Sequence, residues 1–474
     1  SIIEHNGLTL MSMSEKSVSS SLQQLEQQLA DKNPALLQAF RLYHELDQVA
    51  YDLGLIGMDD SLANKNSWSP VITVIGDASS GKNEFINRYL SSATPAIDPN
   101  GIHAQFTVLV YRDDPSSMTL PGTAVDGDPR FPFYHISERL EQLEKGTSRN
   151  INSYLELKTN NSTQLKDKTI ILAPGFAANQ KQAEAELLRE HASTLSDLVF
   201  VFFDARHSTL EDFRSSLSPF LKQAARSNNP SKFIYVINEP SNNHDAVDLN
   251  DWKQQLIHLG LEAGQFFVLS QSTESTTQQA IEQKLTNIDV ESAYRILNNL
   301  QQHITEFDTV VVHEVQKGID LWKDRSHFTL TAVLSFIALS LVAGEIQMGL
   351  VAVLLDPFVA SVALFLLVVF LIPVHIYSSK VHAKFIAKKL AERQVELGLI
   401  ENLPALFNQG ITLWRILLPI RQPVGWTKEV QETLDMLMTR AKGLVQSLNN
   451  TFSTNSIAPS TSTSAPTEET FLNL

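Results

Sequence analysis

Val71-Ile72-Thr73-Val74-Ile75-Gly76-Asp77-Ala78-Ser79-Ser80-Gly81-Lys82-Asn83 is the stretch on which the fold turns. Its first five residues are almost all β-branched, as in a short strand buried on both faces of a parallel sheet. Directly behind them stands Gly-x4-Gly-Lys, and Glu84–Leu90 then takes up helical spacing. Strand, glycine-bracketed loop and helix in that order form the setting in which a loop wraps phosphate. Gly76 and Gly81 let backbone N–H groups approach an anion, the helix start adds positive potential, and Lys82 reaches the terminal phosphates. The candidate binding residues are therefore Gly76, Asp77, Ala78, Ser79, Ser80, Gly81, Lys82 and Asn83. The alternative is that Gly76, Gly81 and Lys82 persist only as the geometry of a turn.

Outward from this loop, apolar runs recur at Phe106–Tyr111, Thr169–Leu172, Leu198–Phe203, Phe233–Ile237 and Phe266–Leu269. Helical patterns such as Gln180–Leu195 and Thr209–Ala225 lie between several of them. The alternation predicts an α/β domain with a mostly parallel sheet over residues 69–275. Before it, Ser14–Leu55 carries Leu22, Leu25, Leu29, Leu36, Leu37, Phe40, Leu42 and Tyr43 at helical spacing, with a break at Asn33-Pro34. After it, Thr276–Lys323, Ser378–Ile400 and Thr427–Leu448 read as amphipathic helices. Residues 451–474, rich in Ser, Thr, Pro and Asn, read as a disordered tail. Residues 1–13 read as a tag or a disordered segment.

The mean hydropathy of -0.07 is that of an ordinary soluble protein, but it averages a polar chain with one very apolar segment. A net charge of -15 argues against a nucleic-acid partner, which needs a basic face for phosphates. There is no cysteine, so disulfides, thiolate zinc sites and cysteine catalysis are excluded. The 13 histidines show no paired metal spacing, and no secretory signal is read in the first residues. Asp204-Ala205-Arg206-His207 offers chemistry at a strand end, or else a solvated loop.

The apolar segment is Phe328–Tyr377. Between His327 and Ser378 there is no Lys or Arg, and the only acids are Glu345 and Asp356. Pro357–Tyr377 is long enough, at about 31 Å as a helix, to match the hydrocarbon core of a bilayer. Phe328–Ala343, at about 24 Å, spans only if it is extended past Glu345, if the bilayer thins, or if it is re-entrant. Gly344–Asp356 would be the turn. Lys323 and Arg325 precede the hairpin, and Lys380, Lys384, Lys388 and Lys389 follow it. By the positive-inside rule both ends lie on the cytoplasmic side, with Trp322 and Tyr377 as interfacial aromatics. The alternatives are a hairpin buried in a soluble helical core, or a paddle dipping into one leaflet. Leu413–Ile420 either lies along the membrane surface or packs into the helices.

These features together resemble the dynamin superfamily, particularly bacterial dynamin-like proteins and mitofusins, which pair such a loop with a helical stalk and a membrane-inserting segment. The likeness covers the organisation of roughly residues 20–450 and only short motifs. Thr107–Tyr111 looks like the strand after the family's first switch, but Gly101–Gln105 holds no switch threonine. Ile171-Leu172-Ala173-Pro174-Gly175 looks like Asp-x-Pro-Gly, with Ala173 read in place of the aspartate. Asn238-Glu239-Pro240-Ser241 stands where the guanine-reading Asn-Lys-x-Asp belongs, and only Asn238 fits. Asn83 replaces the hydroxyl residue that ligates Mg²⁺.

The resemblance implies a GTPase-like head (69–275), stalk helices (14–68, 276–327 and 378–450) and a membrane hairpin (328–377). It implies GTP or GDP with Mg²⁺ as cofactors and Asn83 as a weak metal ligand. It further implies Asn238 at the base, and Lys82 and Ser80 as the catalytic residues. The expected partners are a lipid bilayer, in bacteria the inner membrane with head, stalk and both termini cytoplasmic, and further copies or a dynamin-like partner. Nucleotide-linked dimerisation of heads would then drive tethering, fusion or remodelling through the stalk. The competing expectation is an inactive pseudo-GTPase scaffold serving an active partner, because the lost switch threonine and aspartate would otherwise sense the γ-phosphate and support Mg²⁺.

Overall fold

The computed structural model describes residues 16, 20–91, 97–98, 105–176, 182–204, 214–227, 229–238, 254, 257–258, 266–269, 274–349 and 355–455. Residues 1–13, the switch segment 101–104, residues 205–207, Glu239 to Ser241 and the tail beyond 455 lie outside them.

The head is one eight-stranded sheet: β1 Val71–Ile75, β2 Phe106–Tyr111, β3 Thr119–Pro121, β4 Leu155–Asn160, β5 Thr169–Ala173, β6 Leu198–Asp204, β7 Phe233–Asn238 and β8 Phe266–Leu269. Their order is β3-β4-β2-β5-β1-β6-β7-β8. The sheet is parallel from β5 through β8, while β2 runs antiparallel to β5, and β3 to β4. β3 and β4 were not expected from the apolar runs: β3 is only three residues long, and Leu-Glu-Leu-Lys-Thr-Asn of β4 carries no β-branched run, its signal being the short Leu-x-Leu alternation. Every residue of β1 is buried. Since successive side chains point to opposite faces, Val71 and Ile75 join one core, and Ile72 and Val74 the other.

The helical part shares a third core, drawn from 22–63, 293–322, 383–416 and 434–448. Helix α1 is Ser20–Lys32 and α2 is Pro34–Asp52. Asn33 caps α2 by accepting from the Ala35 and Leu36 N–H groups, with Pro34 at the first helical position, so the expected break is real. In the head, α3 is Lys82–Leu90, α4 Gly122–Asp126, α5 Ile136–Leu143, α6 Gln182–Leu195, α7 Arg214–Arg226 and α8 Glu274–Thr286. Then come α9 Ile288–Glu306, α10 His313–Met348, α11 Pro357–Glu396, α12 Leu403–Gln409, α13 Leu413–Leu417 and α14 Lys428–Asn455. A π-helical turn, Phe307–Val312, joins α9 to α10, and Ile288–Gln347 is one unbroken helical rod.

A polar joint ties the head to this bundle. Asp197, at the start of β6, accepts from the Val71 N–H at 2.9 Å and from Arg295 Nε at 2.6 Å. Arg295, on α9, also donates to the Ser67 carbonyl at 2.9 Å. Nearby, the Tyr43 hydroxyl meets His303 Nδ1 at 2.8 Å and accepts from Asn66 Nδ2 at 2.7 Å, while Asn299 donates to Asn66 at 2.9 Å.

The apolar hairpin is more symmetrical than the sequence suggested. α10 continues to Met348 and closes at Gly349 (φ +64°), so Phe328–Met348 matches Pro357–Tyr377 in length, each about 31 Å. Phe336, Leu339, Ile346, Phe358 and Phe365 are exposed, and no described segment covers them. A hairpin buried in this chain's own helical core is thereby excluded. Asp356 caps α11 at the tip, accepting from the Phe358 and Val359 N–H groups. α11 runs on past Tyr377 as the same helix to Glu396, so Ser378–Ile400 is not a separate element. Trp322 is not an interfacial aromatic: it is buried, and its indole donates to the Ser379 carbonyl at 2.9 Å.

Candidate phosphate-binding site

β1, central in the sheet, delivers Gly76 from its C-terminal end beside β6, where only glycine fits. A Cβ there would stand 2.6 Å from Ser80 Oγ and 2.9 Å from Phe202 Cβ. The chain then makes a tight 3-10 turn, Ala78–Ser80, in which Ser80 N–H and Oγ both donate to the Asp77 carbonyl, at 3.1 and 2.6 Å. Ser80 is buried and Ser79 exposed. Gly81 leaves the turn at φ +81°, a backbone conformation that side chains resist, and opens α3. A Cβ on Gly81 would also fall 2.4 Å from Asn238 Nδ2. Asn238 thus comes from the end of β7 to lie directly over the loop.

Gly81 brings no side chain to cap α3. The first N–H groups of a helix have no partner within it, and here they add to the positive end of the helix dipole. This arrangement suits an anion such as a phosphate. Lys82 has a different engagement. Its side chain is buried and Nζ donates to the Ala173 carbonyl, at the end of β5, at 2.6 Å. Burial pulls the ammonium's pKa down to about 8, with the charge on Asp77 acting against the shift.

Asp77 lies against Gly175, where a Cβ would come within 1.9 Å of Asp77 Oδ1. Arg189 of α6 donates from Nη1 to the Gly175 carbonyl at 3.0 Å and lies over the Phe176 ring at 5.1 Å. Burial lowers its guanidinium pKa to about 10, opposed by Glu186 and Asp77. Gly175 stood in the expected motif, but Arg189 was not expected at the site. The available signal was weak: Arg189 falls beside Leu188 and three residues before Ala192, on the buried face of a helix that also carries Glu, Gln and His.

Asn83 is the residue that would hold Mg²⁺ weakly, and the segment 101–104 that would face it lies outside the described residues. Asn83 is buried and its Nδ2 donates to the Asp98 carbonyl at 3.3 Å. By its own spacing, Asp-x-Pro-Gly would put the aspartate at Leu172, one residue before Ala173; neither offers a carboxylate. Among the described residues no cluster of three or more His, Asp or Glu could hold a metal. Asp204 is buried at the end of β6, in register with Asn238. His375 is buried, stacked on His327 with ring centroids 6.3 Å apart.

Residues 72–240 match the family model described as the dynamin family. No curated protein matches the chain. Two solved structures of an oligomerised bacterial dynamin pair, described as providing a mechanism for the long-range sensing and tethering of membranes, are similar at 15% and 16% identity with TM-scores of 0.35. The matches cover 71% and 70% of this chain but 52% and 51% of those chains. The chain therefore spans about half the length of the solved structures it matches.

Proposed function

Through its head the chain belongs to the dynamin superfamily, and on that premise we propose a membrane-anchored protein that tethers or remodels bilayers. In this reading the head holds guanine nucleotide by its phosphates and turns it over poorly. The observation that carries the reading is Lys82: its ammonium is tied to the end of β5, beside a motif with no carboxylate. The uncapped start of α3 would hold the phosphates, and Lys82 would exchange the Ala173 carbonyl for a phosphate oxygen. Asn238 would face the base.

Heads would meet in pairs, from copies of this chain or from a dynamin-like partner, and the rod α9–α10 would carry their movement to the hairpin. The hairpin would cross the bilayer twice, with head and stalk on the cytoplasmic side. A second reading, a scaffold that binds no nucleotide, is favoured by Asn238 lying so close over Gly81.

Titration of the full chain in vesicles with GTP and ATP, with and without Mg²⁺, separates these readings. We expect GTP binding that Lys82→Ala weakens by about tenfold or more, with phosphate release near background. Absence of binding at millimolar nucleotide selects the scaffold. Rapid turnover abolished by Lys82→Ala overturns both.

A further inference from the structure

We infer that Leu413–Ile420 is a second bilayer contact, a shelf at the foot of the hairpin lying in the boundary between headgroups and acyl chains. The inference rests on the membrane reading of the hairpin and adds to it a surface with a different depth and a different role. α13 and the residues after it bury only Ile416. Leu413, Trp414, Leu417, Leu418 and Ile420 are exposed, Trp414 by 76%. A cluster of large apolar side chains this size, outside the core, marks an interaction surface.

Its height is fixed by two contacts to the hairpin helices. Lys323 Nζ, on α10, donates to the Leu418 carbonyl at 2.8 Å and also to the Arg415 carbonyl. His375, on α11, places Nε2 3.4 Å from the Ile416 carbonyl. Lys323 lies five residues before Phe328, and His375 two before Tyr377. The shelf is therefore level with the end of the hairpin at which the first apolar run begins and the second one finishes. Irregular backbone at that depth is tolerated where its carbonyls are satisfied, and Lys323 satisfies them.

Lipid is the occupant that continuity requires. α13 packs against α11, and both leave large apolar side chains exposed, Ile372 and Tyr377 on α11 and Trp414 on α13, so one apolar medium would cover them. Tryptophan favours this boundary, with its ring among acyl chains and its N–H among headgroups. The charge agrees. Lys380, Lys384, Lys388 and Lys389 are exposed on α11 just beyond, and no acid stands between Asp356 and Glu392. These lysines suit an anionic leaflet. The shelf would fix the angle at which the rod meets the membrane, a constraint that a lone hairpin does not supply.

The absence of native cysteine makes the test direct. Trp414→Cys, Leu417→Cys, Leu366→Cys and Met436→Cys would each be labelled with an environment-sensitive fluorophore. The full chain is then reconstituted in vesicles of phosphatidylethanolamine and phosphatidylglycerol carrying nitroxide lipids of shallow or deep label. Labels at 414 and 417 should be quenched more by the shallow nitroxide, 366 more by the deep one, and 436 by neither. Quenching at 366 with 414 and 417 behaving like 436 overturns the shelf and leaves the hairpin standing. Quenching at 414 and 417 but not at 366 sinks the hairpin and keeps the surface contact. No quenching anywhere removes both. Blue-shifted emission at 414 without quenching means a protein cover, such as a second copy, and also overturns the inference.

Discussion

At the scale of single residues, the loop separates two costs that a glycine can avoid. Gly146 and Gly81 both have positive φ, +93° and +81°, but a Cβ on Gly146 meets nothing within 4 Å whereas one on Gly81 meets Asn238. Gly146→Ala should therefore cost only the backbone term, about 1 kcal/mol. Gly81→Ala adds an overpacking term and should cost about 3 kcal/mol or more. Denaturant titration of the two variants checks the difference; equal losses would mean Asn238 yields freely. Arg189 belongs at this scale too. Its identity was plain in the sequence, but its place beside Asp77 and Gly175 was not, because α6 reaches the loop only through the folding of the sheet. The glycines and Lys82 were legible because a tight strand-to-helix turn restricts residue type locally.

At the scale of elements, the joint between head and stalk is the place where single changes matter most. Asp197 is fully buried at its side chain and Arg295 nearly so, at 0% and 12% exposure. Removing one member of such a pair strands the other, at about 3–5 kcal/mol. Arg295→Ala should lower the unfolding free energy by that order, read from denaturant titration. It should also expose the linker before Val71 to proteolysis, while the double variant Asp197→Leu, Arg295→Leu recovers part of the loss. Protection of the linker in Arg295→Ala would mean that other contacts hold the head.

The same joint carries a pH dependence. Burial holds His303 down to about 3, and His191, in the head, down to about 4. Both pKa values are below that of the unfolded chain, so the unfolded state takes up protons first as pH falls. Stability is then fully present above about pH 6.5 and is lost as pH drops toward 3. At pH 5 the loss should be on the order of 2 kcal/mol per histidine. Melting curves between pH 7 and pH 5 read it, and His303→Gln should flatten the slope.

At the scale of the whole molecule, the head, the bundle and the hairpin have separate apolar surfaces. The stalk core draws on no residue between Phe328 and Leu371. A chain lacking residues 330–371, closed by a short flexible link, should keep its thermal transition within a few degrees and lose flotation with vesicles. Retained flotation would move the anchor elsewhere, and a collapsed transition would make the hairpin part of the fold.

The sequence by itself determined the phosphate-loop turn, the α/β head, the break at Asn33-Pro34 and the length of the second apolar run. Those rest on local periodicity, glycine geometry and hydropathy, which act within a few residues of one another. Only the tertiary structure decided that α10 runs unbroken to Met348, that β3 and β4 extend the sheet, that Trp322 is buried, and that Lys82 is held by β5. The last three depend on partners supplied from distant parts of the chain: strand neighbours for β4, the Ser379 carbonyl for Trp322, the Ala173 carbonyl for Lys82. Burial and hydrogen-bond satisfaction are properties of the assembled fold, and no local pattern records them.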